Sequence, residues 1–170
     1  MMSKTFHGFG TGVAFESTQE PLRVKIKKLC PDAIIPSYAK DGDAGLDLTA
    51  TSRHFDNNGN LVYGTGLAFE IPKGYVGLIF PRSSLSKYGL ALTNCVGVVD
   101  SGYRGEVTAK FKPQFRFDKT DEVSYNEKFY RIGDRIAQMI IMPYPQIDFV
   151  EVDELSDTER GRGGYGSTGV

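Results

Sequence analysis

Asn94-Cys-Val-Gly-Val-Val-Asp-Ser-Gly-Tyr-Arg-Gly-Glu106, continued by Val107, Ala109 and Phe111 in alternation, is the stretch on which the fold turns. Apolar residues stand on both sides of a turn punctuated by glycine, the pattern of strand, tight turn and strand. If the two arms pair as a hairpin, Asp100 is held beside a narrow slot with the ring of Tyr103 as one wall. Asp-Ser-Gly is equally the chemistry of an ordinary turn, since all three residues favour turns for steric and hydrogen-bonding reasons. The stretch alone does not separate a site from a connection.

Working outward, the same two-residue period recurs. Leu22, Val24 and Ile26 alternate with Arg23, Lys25 and Lys27, Leu46 and Leu48 share a face with Asp47 opposite, and Leu67, Phe69 and Ile71 alternate again. Asp56-Asn-Asn-Gly59 is a turn, and Tyr75 to Phe80 reads as a buried strand. Pro81-Arg-Ser-Ser-Leu-Ser-Lys-Tyr-Gly89 is the one helical candidate between strands, with a serine able to cap it and Gly89 able to end it. Arg82, Ser83 and Ser84 at its start also suit an anion, because free N–H groups and hydroxyls converge there. Residues 112–127 are mixed and polar, a long loop or an extra hairpin. Arg135 to Met142 is an apolar strand with a single amide, Gln138, which needs a hydrogen-bond partner if buried. Phe149, Val150 and Val152 suggest one last short strand. Nine or ten strands with almost no helix predict an all-β sandwich, jelly roll or barrel.

Bulk properties narrow the function. A chain of 170 residues is the size of one domain. Lys+Arg 20 against Asp+Glu 21 leaves a net charge of -1, so no basic field tracks a duplex, and no stable nucleic-acid partner is expected. Cys30 and Cys95 are too few for a disulfide scaffold, and with His7 and His54 they do not make a closed zinc site. No apolar run is long enough to span a bilayer, and the opening MMSKTFHGFGTG lacks the apolar core of a signal peptide, so a cytoplasmic setting is expected. Residues 1–20 read as a flexible N-terminal arm, 21–155 as the β domain, and 156–170 as a glycine-rich mobile lid. Within that tail Gly161, Gly163 and Gly166 spell G-x-G-x-x-G, but no βαβ unit surrounds them. The tail can be read as an RGG-like contact to single strands, as a flap whose arginines and N–H groups wrap an oligophosphate under Tyr165, or as a disordered terminus.

As an ordered set the segments resemble the trimeric deoxyuridine triphosphatase (dUTPase) family. The motifs are DAGLDLTA from Asp43, PRSSLS from Pro81, NCVGVVDSGYRGEV from Asn94, GDRIAQMII from Gly133 and RGRGGYGSTG from Arg160. The resemblance implies a jelly roll of the β-clip type assembled as a homotrimer, with each site at a subunit interface and its lid supplied by a neighbouring chain. It implies hydrolysis of dUTP to dUMP and pyrophosphate, which keeps uracil out of DNA and supplies dUMP for thymidylate synthesis. Asp100 would activate the water. Asn94, the hairpin backbone at Gly97 and Val99, Tyr103 and the stacking Tyr165 would read base and sugar. Arg82, Ser83, Ser84 and Gln138, with Arg160, Gly166, Ser167 and Thr168 of the lid, would hold phosphates. Asp47 would support Arg82 or touch the hydration shell of a Mg²⁺ that is carried by substrate phosphates and water, with no direct protein ligand. Tyr165 stands where the family usually has Phe. Two alternatives share the scaffold: a dCTP deaminase-like enzyme, whose catalytic glutamate would fall at Lys110, and a non-catalytic dUTP-binding regulatory protein.

Overall fold

The computed structural model describes residues 20–117, 123–125 and 128–164, with backbone only for residues 115–117 and 123–125. Twelve strands follow one another among the described residues: β1 Lys25–Lys28, β2 Leu46–Thr49, β3 Ser52–Phe55, β4 Leu61–Gly64, β5 Leu67–Glu70, β6 Tyr75–Pro81, β7 Leu90–Leu92, β8 Gly97–Val99, β9 Thr108–Pro113, β10 Phe115–Phe117, β11 Val123–Tyr125 and β12 Arg135–Pro143. Two four-stranded sheets, ordered β2-β12-β6-β8 and β3-β4-β9-β7, carry the architecture, and β1-β5 and β10-β11 are two-stranded pairs. All pairings are antiparallel. The expected all-β class is what the chain adopts.

Strand β12 is the spine of the first sheet, paired on one side with β2 and on the other with β6. An irregularity between Arg135 and Ala137 turns two successive residues, Ile136 and Ala137, into the core, where both are fully buried with Met139. Leu48, Leu61, Leu67 and Phe111 close the core from the facing strands. Tyr63, Phe111 and Tyr130 form a ring cluster with centroids 5.8 to 6.0 Å apart. The Tyr63 hydroxyl donates to the Tyr130 carbonyl at 3.0 Å, which satisfies a phenol that burial would otherwise penalise. Burial raises the pKa of both Tyr63 and Tyr130 above the ordinary tyrosine value.

Four sequence expectations change. The arms flanking Asp100 do not pair with each other: β8 pairs with β6, while β9 pairs with β4 and β7, so the stretch crosses from one sheet to the other. The segment after Pro81 is a five-residue 3₁₀ helix, Ser83–Lys87, with Arg82 at the N-cap and no side-chain cap. So short a helix gathers little dipole at its start, and the anion site expected there has no helical basis. No strand forms at Phe149–Val152, whose side chains are solvent-exposed. The hairpin of β3 and β4 is additional to the expected strands. It escapes a periodicity search because all four β4 residues are buried and all four β3 residues are exposed. Residues 112–127 do contain an extra hairpin, β10-β11. The N-terminal arm, Glu20 excepted, and residues 165–170 lie outside the described residues.

The β3-β4 turn is tied to β9 electrostatically. Asp56 accepts N–H bonds from Asn58 and Asn60, each at 2.9 Å, and pairs with Lys110 Nζ at 2.9 Å. The Lys110 ammonium, seconded by Asn60, holds the Asp56 carboxyl well below the usual carboxylate range. A depressed folded-state pKa contributes stability above the unfolded pKa and loses it as pH falls through the folded one. Asp56→Asn is therefore expected to lower Tm at neutral pH. The difference from wild type should shrink below about pH 4 and vanish in stronger acid. A Tm series from pH 7 to pH 2 on both proteins checks this.

Candidate active site

Strand β8 ends at Val99 on an edge of the first sheet, and the chain turns at Asp100 with the Tyr103 N–H donating to the Asp100 carbonyl at 3.0 Å. Ahead of the strand, Cys95 takes a left-handed φ of 57°. This tight bend leaves Asn94 beside Gly97, where a Cβ would meet its amide at 3.4 Å. The outcome is a slot of about 180 Å³ lined by Asn94, Gly97, Val99, Asp100, Tyr103 and Glu106, among others. Five residues expected to act together therefore do meet. Asp100 is exposed and makes no side-chain hydrogen bond or ion pair within the described residues. Glu106 was not singled out from the sequence, although it closes the same motif.

A second cavity, of about 440 Å³, opens at the other edge of the sheet. Asp47 on β2 and Gln138 on β12 face each other in register, and Arg82 and Ser83 follow β6. Asp47 accepts from Arg82 Nε at 2.7 Å through one oxygen and from Arg135 Nη1 at 2.9 Å through the other. Of the two roles open to Asp47, the geometry displays support of Arg82. The Gln138 amide donates to the Pro81 carbonyl at 3.0 Å, answering the requirement for a partner. Its oxygen lies where a Cβ on residue 45 would stand 2.6 Å away, so any side chain at the glycine of the DAGLD motif would make the Gln138 amide shift. Arg135 is an addition to the expected set; the sequence signal was a charge opening an otherwise apolar strand.

The remaining expected residues are placed apart. Ser84 lies outside both cavities and its hydroxyl accepts from Arg82 Nη1 at 3.3 Å. Arg160 is exposed, and its Nε donates to the Gly163 carbonyl within the tail at 3.1 Å, away from either cavity. Tyr165, Gly166, Ser167 and Thr168 lie outside the described residues. Among the described residues there is no group of three or more His, Cys, Asp or Glu placed to hold a metal, and no helix is long and apolar enough to cross a membrane.

The fold and site define an antiparallel β protein with an uncommitted carboxylate at one sheet edge and carboxylate-anchored guanidinium groups, chemistry suited to an anion, at the other. A family model for dUTPase matches residues 31–169. The deoxyuridine 5'-triphosphate nucleotidohydrolase of Thermobifida fusca is 44% identical over 150 residues, spanning 87% of this chain and 79% of that protein. The enzyme of the same name from Nautilia profundicola is 42% identical over 152 residues, 87% of this chain and 99% of its own. Among solved structures, the dUTPase of Staphylococcus bacteriophage 80alpha with dUPNHPP superposes with a TM-score of 0.71 at 29% identity, covering 87% of this chain and 99% of that one. A phage phi11 dUTPase mutant described with a structural Mg(II) ion superposes at 0.61 and 25% identity, covering 78% and 98%. The chain belongs to the dUTPase family.

Proposed function

We propose that this protein hydrolyses dUTP to dUMP and pyrophosphate, with Asp100 orienting and deprotonating the water that attacks the α-phosphorus. One observation carries the assignment. Of the four carboxylates that line the cavities, Asp47 is committed through both oxygens to arginines, Asp43 accepts the Lys40 N–H and Glu106 the Gly66 N–H, whereas Asp100 is exposed and uncommitted within the described residues. A general base must reach a water, and Asp100 has both oxygens to spare for one. In this reading Tyr103 packs on the deoxyribose. Asn94 with the backbone at Gly97 and Val99 pairs the uracil edge, where cytosine's opposite donor pattern would leave buried groups unpaired. Arg82, Ser83 and Gln138 hold phosphate, and Ser84 steadies Arg82. Arg160, Gly166, Ser167 and Thr168 close on the outer phosphates while Tyr165 covers the base.

The donor chemistry fits Mg²⁺ carried on the triphosphate oxygens and water, since Asp47 already spends its oxygens on guanidinium groups. The ion, when bound, offsets charge gathering on the leaving pyrophosphate. This reading places the enzyme with the deoxynucleotide pool, in the cytoplasm.

A homotrimer with shared sites is supported by two features. Strands β2 and β8 are the outer strands of one four-stranded sheet, three strand spacings or roughly 14 Å apart, and the two cavities share no lining residue. A ring of subunits joins the slot edge of one to the arginine edge of the next, which is the closed head-to-tail arrangement. Beyond β12, Phe149 is 91% and Leu155 87% exposed, apolar side chains that another subunit would cover. Deamination finds no support at Lys110, which is bound to Asp56 and does not line the slot.

Gly45→Ala is expected to push Gln138 from Pro81 and cut kcat/KM for dUTP about ten-fold, with Tm moving by only a few degrees, because the obstructed atom is the end of a flexible side chain. The function itself is tested by pyrophosphate release from dUTP, dCTP, dTTP and UTP with and without Mg²⁺. Release from dUTP with Mg²⁺, far above the other three, is the expected pattern. Ammonia from dCTP, or no turnover of dUTP, would overturn it.

A further inference from the structure

We infer that Glu106 is the positioning residue for sugar discrimination: its carboxylate sets where the Tyr103 ring stands, and so how strongly a 2′-hydroxyl is excluded. The inference rests on the reading of Tyr103 as the deoxyribose wall. Tyr103 is 47% exposed, so packing alone does little to hold its ring. Two local features do. Its hydroxyl donates to the backbone carbonyl of Glu106 at 2.9 Å, and the ring lies over Gly105, where a Cβ would collide with the phenol.

The carbonyl that receives Tyr103 is in turn tied to the core. The half-buried carboxylate of Glu106 accepts the Gly66 N–H at 2.7 Å. Beside it, the buried Thr65 hydroxyl donates to the Val107 carbonyl at 2.7 Å, and the Val107 N–H donates to the Leu67 carbonyl at 2.8 Å. Thr65 and Leu67 are fully buried, so the chain of bonds runs from a buried turn between β4 and β5, through Glu106, to an exposed ring. On the other side Arg104 Nη1 donates to the Ser101 and Tyr103 carbonyls, at 2.7 and 2.8 Å, keeping the turn itself compact. Glu106 thus acts through Tyr103 and takes no part in the chemistry. A steric test for one oxygen atom depends on ring position to a fraction of an ångström, and without this anchor the ring can yield.

The test compares kcat/KM for UTP and dUTP, with Tm recorded for each variant. Glu106→Ala and Tyr103→Phe are each expected to raise the UTP-to-dUTP ratio about five-fold, the yield of one hydrogen bond. The double variant should rise no further, since both cut the same chain. Glu106→Gln, which keeps an oxygen for the Gly66 N–H, should hold the wild-type ratio. If Glu106→Ala does not fold, Glu106→Asp, one methylene too short for Gly66, should raise the ratio where Glu106→Gln does not. The inference is overturned if loss of the Glu106 carboxylate lowers both substrates by one common factor, or if Tyr103→Phe shifts the ratio and no Glu106 variant does. Absence of dUTP turnover in the wild type would instead refute the assigned function, a separate outcome read from the same plate.

Discussion

Asp100→Asn is expected to lower pyrophosphate release from dUTP by about 10³-fold while dUTP still binds within a few-fold of wild type. The amide matches the carboxylate in shape, and Asp100 makes no side-chain hydrogen bond or ion pair among the described residues whose loss would disturb the turn. The turn is held instead by backbone, through the Tyr103 N–H and by Arg104. What disappears is the capacity to take a proton from water, a contribution confined to the transition state, so kcat should fall with KM nearly unchanged. Steady-state kinetics and calorimetric titration with a non-hydrolysable dUTP analogue separate the two. Turnover within ten-fold of wild type would remove Asp100 from the role of base. A protein that binds dUTP but turns it over neither as wild type nor as variant would be a regulator built on the enzyme scaffold.

Removal of residues 160–170 is expected to leave the proposed trimer intact and reduce turnover by about 10²-fold or more. The cut falls after the two sheets and the apolar segment around Phe149, so the surfaces assigned to assembly stay in place. It deletes Arg160, Tyr165, Ser167 and Thr168, the groups assigned to the outer phosphates and to the face of the base. In the described part of the tail Arg160 bonds to Gly163 and neither cavity includes it, so its action on substrate requires the tail to dock. Sizing chromatography with the dUTP assay reads both halves of the prediction. Full activity in the shortened protein would refute the lid.

Much of this was legible in the sequence, for physical reasons that differ by element. Strands β2 and β5 were visible because their large apolar residues alternate in the sequence, Leu46 with Leu48 and Leu67 with Phe69, β6 because it is a short apolar run, and β12 because a single amide interrupts an apolar run. Strand β4 was hidden because burial on both faces erases the period. The stretch around Asp100 revealed its turn but not its pairing: a turn signal is local, whereas the separation of β8 and β9 into different sheets depends on partners far along the chain. The slot residues were found because they are neighbours in sequence. Arg135 and Glu106 were missed because their significance lies in what they touch, Asp47 at a separation of 88 residues and Gly66 at 40. The serine cap failed because the helix begins at Ser83, which puts Arg82 at the N-cap, and its guanidinium, bound to Asp47, has no acceptor to offer the first N–H groups.

The claim that one site is built from the Asp100 edge of one subunit and the Arg82 edge of another is tested by complementation. Asp100→Asn and Arg82→Ala chains, each inactive alone, are co-expressed at equal levels and purified as mixed trimers. In a shared site, slots from Arg82→Ala chains meet arginine pockets from Asp100→Asn chains, and random assortment makes about a quarter of all sites wild type. The account predicts dUTP turnover near that fraction. Mixed trimers no more active than either parent would show that each subunit builds its site alone, and would contradict it.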